Sequence, residues 1–121
     1  MAAVSDLEWL RKREEFARIY RQGKSYRKEY IRLLVCRNGN LLVRRLGITI
    51  PKKVGTAVRR NRLRRRVREW ARKEFDRTDI GWEAVVHFSG GASVSFGELS
   101  CCLRSLFERA GLLRCRREVD R

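Results

Sequence analysis

The sequence holds one proline, Pro51, one histidine, His87, and one methionine, at its start. Its four cysteines, Cys36, Cys101, Cys102 and Cys115, show no C-x-x-C spacing. With a lone histidine and no paired cysteines, a tetrahedral zinc site is not expected. Free thiols in a reducing compartment are expected instead. No stretch reaches the ~18 apolar residues of a membrane-spanning helix, and Met1–Leu10 carries Asp6 and Glu8 where a secretory signal would need an apolar run. The expectation is a cytoplasmic protein with no membrane partner. Acidic residues are the other shortage. Asp and Glu total 14 against 30 Lys and Arg, a formal net charge of +16 on 121 residues. So much charge on one small domain repels itself and calls for a polyanionic partner.

What is present suffices for a modest core: 43% of residues are hydrophobic. Ser5-Asp6-Leu7-Glu8 has the spacing of a capping box and predicts a helix from about Leu7 to Arg21, ended at Gly23. On it Phe16 and Tyr20, four apart, share a face, with Trp9 two turns earlier. Tyr30–Cys36 reads as a strand and Asn38-Gly39 as a hairpin turn. Leu41–Arg44 and Leu46–Ile50 follow as two further strands, the latter ended by Pro51. A long helix is predicted from about Ala57 to Phe75, with Leu63, Val67, Trp70 and Ala71 as its apolar stripe. Asp79–Gly81 is a loop, Trp82–Phe88 a strand, and Ser89–Ser93 a turn. Ser95 and Glu98 form a second capping box opening a helix that carries Leu99, Leu103, Leu106, Phe107 and Ala110 and stops at Gly111. The charged segment from about Leu112 to Arg121 reads as a frayed tail. The chain is expected to be one domain, residues 1–121, of α+β class. Its order is α-β-β-β-α-β-α, a two-layer sandwich of helices on a small sheet.

The segment Arg59–Arg68, RRNRLRRRVR, is seven-tenths arginine. Like charges this dense oppose an isolated helix by ~0.2–0.5 kcal/mol per i,i+4 pair, so packing of Leu63, Val67 and Trp70 must offset them. On a helical wheel Asn61, Arg64, Arg65, Arg68 and Arg72 form a stripe beside the apolar one. Arg60 and Arg62 sit in the first turns, where the helix dipole favours an anion. Guanidinium forks pair two phosphate oxygens and stack on bases, which a lysine ammonium does not. A solvated cationic face is the plainer reading of a charge run, but seven arginines in ten residues with almost no acid among them point to nucleic acid.

These residues carry a resemblance. The stretch RLGITIPKKVGTAVRRNRLRRRVRE, Arg45 to Glu69, closely resembles the signature of the bacterial ribonuclease P protein component. Arg60-Asn61-Arg62 match its Arg-Asn-Arg core, Arg64, Arg65 and Arg68 its trailing basic positions, Lys52 and Lys53 its loop, and Gly47 and Gly55 its flanking glycines. Lys12–Phe16, Tyr20 and Gly23-Lys24 resemble the family's first helix and its exit, and the likeness runs from about residue 7 to 112. The resemblance implies an endoribonuclease that works as a ribonucleoprotein and removes the 5′ leader from precursor tRNA. The chemistry and the magnesium ions would belong to the catalytic RNA, and no residue of the protein would be catalytic or bind metal. It implies RNA contact by Arg60, Asn61, Arg62, Arg64, Arg65, Arg68, Lys52, Lys53 and Lys24, with ribonuclease P RNA and precursor tRNA as partners. It places Phe16 and Tyr20 in a leader-binding cleft between the first helix and the sheet. It also implies a ribosomal-protein-type fold with a left-handed βαβ crossover. One departure stands out: Leu34 lies where some relatives have an aromatic.

From spacing alone, Phe16 and Tyr20 fit core and cleft equally well. His87 reads as a strand-face residue without the partners a general base needs, and Trp70 as core. Trp82 is undecided. Asp76 and Asp79 fit capping or salt bridging better than a magnesium site. A passive RNA-binding or ribosome-associated protein would use the same arginine helix. A DNA reader is disfavoured, since the sequence shows no paired-helix motif or dimer zipper.

Overall fold

Residues 7–37, 43–74, 77–78, 81–90 and 95–113 are described by a computed structural model. Ser5, the Asn38-Gly39 turn, Leu41, Phe75, Asp76, Asp79, Ser93 and Cys115 lie outside them.

The first described residues overturn the expected helix start. Leu7–Trp9 is a strand, β1, lying parallel to β4 (Arg44–Thr49), with Trp9 opposite Leu46. The Leu10 N–H continues the ladder to the Leu46 carbonyl at 2.9 Å. Glu8, expected to close a capping box, instead accepts from Arg45 Nε at 3.2 Å. A cross-strand pairing available only in the folded chain outweighs the local helix signal. Helix α1 begins six residues later and runs Arg13–Gln22, and Trp9 is not on it.

The second correction is β2, Lys24–Lys28. Its sequence KSYRK holds one aromatic among polar residues, so it shows no apolar alternation. It is an edge strand, where charge is common. It pairs antiparallel with β3, Ile31–Arg37. Between β3 and Pro51 the described residues hold one strand, β4; the expected strand at Leu41–Arg44 lies partly outside them, and β3 and β4 are not neighbours. The sheet order is β1-β4-β5-β3-β2, with β5 (Trp82–Phe88) between them, antiparallel to β3 and parallel to β4. The order is therefore β-α-β-β-β-α-β-α, an α+β fold with one five-stranded sheet and three helices among the described residues.

Helix α2, Ala57–Glu74, links β4 to β5, and α3, Phe96–Arg109, follows β5. The second capping box is present as expected: Ser95 Oγ accepts from the Glu98 N–H, and Glu98 from that of Ser95. Gly111, just beyond α3, has φ 78°, the left-handed conformation that suits glycine at a helix stop.

Alternation along the strands decides the layers. Ile31, Leu33, Val35, Ala84, Val86 and Phe88 share a core with Leu63, Val67 and Trp70 of α2 and Leu99, Leu103 and Phe107 of α3. Leu34 and Val85 point the other way and pack with Leu10 and Ile19 beneath α1. Helices thus cover both faces, and the two-layer expectation becomes helix, sheet, helix. Trp70 and Trp82 both meet the Phe107 ring, at centroid distances of 5.0 and 5.7 Å, so both are core. Leu112 and Leu113 are buried as well, which carries the core past the point where the charged tail was expected to begin.

Candidate nucleic-acid interface

Helix α2 is anchored on one side only. Leu63, Val67, Trp70 and Ala71 are buried, whereas Arg59, Asn61, Arg62, Arg65, Arg68 and Arg72 are exposed. Thr56 Oγ1 accepts from the Arg59 N–H at 3.2 Å, satisfying one of the donors at the helix start. Arg60, half-buried, donates from Nε to the Gly55 carbonyl, and Arg64 donates to Asn61 Oδ1. Among the described residues none of Arg59, Arg60, Arg62, Arg64, Arg65 or Arg68 pairs with a carboxylate. Arg68 lies over the Trp9 ring, 5.5 Å from its centroid. That contact ties the stripe to the β1 edge of the sheet, and the sequence could not show it while Trp9 read as helical.

The opposite face carries the aromatic pair. Phe16 and Tyr20 are half-buried on α1, packed against the cluster of Leu10, Ile19, Leu34 and Val85. Each is therefore part core and part surface, which explains why their spacing fitted both readings. Leu34 is only 2% exposed, covered by α1, so it offers no ring and no open surface for a base. Tyr20 Oη is 2.8 Å from His87 Nδ1, with the rings edge to face at 5.8 Å. His87 thus stands against Tyr20 on the α1 side of the sheet. Burial, then Arg32 and Lys53, lower its pKa from the ordinary 6.5, so its neutral form is favoured.

Lys52 and Lys53 are exposed on a single 3-10 turn, Lys52–Val54, that leads from β4 into α2. They stand where the chain passes between the two surfaces. Lys24 is placed elsewhere. It begins β2, at the sheet edge opposite β1, with Nζ 5.9 Å from the Tyr26 ring centroid, and does not join the α2 stripe.

An ion cluster missed by sequence reasoning fixes α1 on the sheet. Glu83 of β5, 4% exposed, accepts from Arg18 Nη1 and Nη2 at 2.8 and 3.1 Å and from Arg45 Nη1 at 3.2 Å. Arg45 also meets Glu15 at 3.5 Å and Glu8 at 3.2 Å, so β1, α1, β4 and β5 are joined. Hydrogen bonding from Arg18 and Arg45 holds the Glu83 carboxyl below its ordinary pKa against the opposing effect of burial. A buried arginine, Arg44, donates to Thr78 Oγ1 and to the Thr78 carbonyl. Only a buried-strand context distinguishes Glu83 and Arg44 from the surface charges that fill this sequence.

Among the described residues no three His, Cys, Asp or Glu side chains come together as metal ligands, and no helix is long and apolar enough to cross a membrane. What the geometry offers is binding chemistry: a cationic helix on one side, and two half-buried aromatic rings beside a histidine on the other.

Comparison with known proteins agrees with this layout. The Ribonuclease P family profile matches residues 5–111. The chain is 32% identical over 105 residues to a ribonuclease P protein component of Clostridium botulinum, covering 85% of this chain and 94% of that one. It is 35% identical over 100 residues to that of Lachnoclostridium phytofermentans, covering 82% and 85%. Among solved structures it resembles the RNase P protein from Thermotoga maritima, with TM-score 0.75 and 35% identity over 83% of this chain and 94% of that one. It also resembles the Staphylococcus aureus RNase P protein, with TM-score 0.81 and 25% identity over 88% and 97%.

Proposed function

The chain belongs to the ribonuclease P protein family, and from that premise we propose that it is the protein subunit of a ribonuclease P ribonucleoprotein that removes 5′ leaders from precursor tRNA. The observation that carries this reading is a core-anchored helix presenting Asn61, Arg62, Arg65 and Arg68 without acidic partners among the described residues. Charge density of that kind is tolerated in a fold when a polyanion completes it.

In this reading the α2 stripe binds the phosphates of the catalytic RNA, and Lys52 and Lys53, on the turn that leads into α2, lie toward the substrate leader. The α1 cleft receives the single-stranded leader on Phe16 and Tyr20. Stacking on such rings is worth ~1–3 kcal/mol per base and tolerates any sequence, which suits an enzyme acting on many precursors. Lys24, on the far edge of the sheet, serves an RNA contact separate from the α2 stripe. The cytoplasm, where precursor tRNA is made, is the compartment this reading requires.

Magnesium would be held by the RNA subunit. In support of that reading, Glu8, Glu15, Glu74 and Glu83 are engaged by arginines, and among the described residues no three His, Cys, Asp or Glu side chains come together. The protein's part is to bind, to position and to neutralise phosphate charge.

The test is to add the purified protein to a bacterial ribonuclease P RNA at low magnesium and near-physiological salt, and to follow leader removal from a precursor tRNA. Faster cleavage with RNA and protein together, and none with protein alone, is the expected result. RNA binding with no gain in cleavage would overturn the subunit reading in favour of a passive RNA clamp. Equal competition by duplex DNA would indicate a general polyanion binder.

A further inference from the structure

The sheet register assembles a feature that no single segment shows. Arg27 of β2 pairs with Arg32 of β3, Arg32 with His87 of β5, and His87 with Thr49 of β4. Cross-strand partners project to the same face. These four residues therefore form one row across four adjacent strands, on the α1 side, spanning about 14 Å at ~4.8 Å per strand. Lys53, four residues past Thr49, is near enough to act on His87, as Arg32 is. Tyr20 stands over the row through its 2.8 Å contact with His87 Nδ1.

Among the described residues this row is not compensated. Arg27 and Arg32 lie directly opposite each other, and like charges so placed destabilise a sheet. Among the described residues no carboxylate pairs with Arg27, Arg32 or Lys53. At the other end of the same face, Arg18 and Arg45 are both neutralised by Glu83. The contrast lies within one surface: one end carries its own counter-charge and the other lacks it. Arg32 Nε is moreover buried with no hydrogen-bond partner among the described residues, and an unused buried donor calls for an acceptor from elsewhere.

The row consists of donors. Two guanidinium forks match phosphate oxygens. With Tyr20 Oη donating to Nδ1, a tautomer assigned from that contact, neutral His87 carries its proton on Nε2 and is a donor too. Regularly spaced donors beside an aromatic ring suit single-stranded nucleic acid, whose backbone is anionic and whose bases stack.

We propose that Arg27, Arg32 and His87 form a phosphate track that carries the backbone of single-stranded RNA across the strands, from Lys53 past Tyr20 to the β2 edge. The proposal rests on the leader-binding reading above and adds a path to it: the leader crosses the sheet perpendicular to its strands and leaves over β2. A short leader reaches His87, and only a longer one reaches Arg27.

The experiment uses the holoenzyme reconstituted with bacterial ribonuclease P RNA and precursor tRNAs whose leaders are graded in length. The double variant Arg27→Gln, Arg32→Gln weakens binding of the longest-leader substrate several-fold. It flattens the slope of log affinity against log salt by about 1.4, two contacts at about 0.7 each. Mature tRNA and the RNA subunit bind as before, and Arg27→Gln alone acts only on the longest leaders. Thermal melting of the free variant is unchanged or slightly raised, because a like-charge pair has gone. Equal losses for mature and precursor tRNA, or no loss at any leader length, would overturn the track and leave the subunit reading standing. If the unaltered holoenzyme shows no preference for precursor over mature tRNA, the leader reading fails and the track with it.

Discussion

The Phe16 ring occupies the space a Gly47 side chain would need: an ideal Cβ on Gly47 stands 2.6 Å from Phe16 Cε1 and 2.7 Å from Cζ. Leu10 Cδ1 is 3.1 Å from the same point. The glycine on β4 therefore sets how closely α1 approaches the sheet. Gly47→Ala is expected to push the Phe16 ring outward and cost about 1–3 kcal/mol, as overpacking does. Urea unfolding checks the stability loss. A fully stable variant with unaltered precursor-tRNA binding would show that the ring moves aside freely.

Arg65 is exposed in mid-stripe on α2 and has no carboxylate partner among the described residues. Arg65→Ala should weaken binding to the RNA subunit at low salt and reduce the salt slope by about one. The difference from the unaltered protein narrows as salt rises. Parallel salt plots would remove Arg65 from the interface. The fold should not change, since the helix is held by Leu63, Val67 and Trp70.

Glu83 joins Arg18 and Arg45 at 4% exposure. Glu83→Gln leaves the partly buried Arg18 guanidinium without a carboxylate among the described residues, whereas Arg45 keeps Glu8 and Glu15. The expected cost is about 3 kcal/mol. The carboxyl's pKa is lowered below the ordinary 4.5 in the folded state. Its stabilisation is thus complete above pH 4.5 and is lost as pH falls through the lowered value. Acid unfolding profiles should differ in that window, with the Gln variant lacking this component of the fall. Superimposable profiles would show that the cluster contributes nothing net.

His87 titrates in the other accessible window. Burial, Arg32 of β3 and Lys53 of the 3-10 turn lower its pKa from 6.5, and Tyr20 of α1 holds Nδ1. The folded state disfavours the imidazolium, so the stability margin is whole above pH 6.5 and shrinks as pH falls through the lowered value. His87→Asn should remove that dependence in the free protein. A variant that loses stability between neutral and mildly acid pH just as the parent does would locate the titration elsewhere.

Phe16→Ala combined with Tyr20→Ala should weaken precursor tRNA while leaving mature tRNA nearly unchanged, by ~1–3 kcal/mol per stacked base. Tyr20→Phe keeps the ring and removes only the contact with His87, so it should retain most of that affinity. Circular dichroism separates the outcomes. Loss of folding in the double variant would assign both rings to the core.

Elements governed by local pattern were readable in advance. The α2 stripe of Leu63, Val67, Trp70 and Ala71 is buried as its spacing requires, β5 spans the residues expected of it, and Ser95 and Glu98 form the box their spacing encodes. Elements that exist through pairing were not. Lys24–Lys28 has no alternation to detect, and Leu7–Trp9 carries a misleading helix signal that its ladder to Arg44–Leu46 overrides. Of the candidate RNA-contact residues, those on α2 follow from one helix, whereas the position of Lys24 on the opposite sheet edge depends on strand order.

The sequence by itself determined the charge, the arginine helix and the identity of its buried side, because helical periodicity relates residues three and four apart. Only the tertiary structure decided that Glu83 neutralises Arg18 and Arg45, that Tyr20 meets His87, and that Arg27, Arg32 and His87 stand in one row. Those partners lie between 5 and 67 residues apart. Which of them meet is set by sheet order and register, a choice made by the whole core at once.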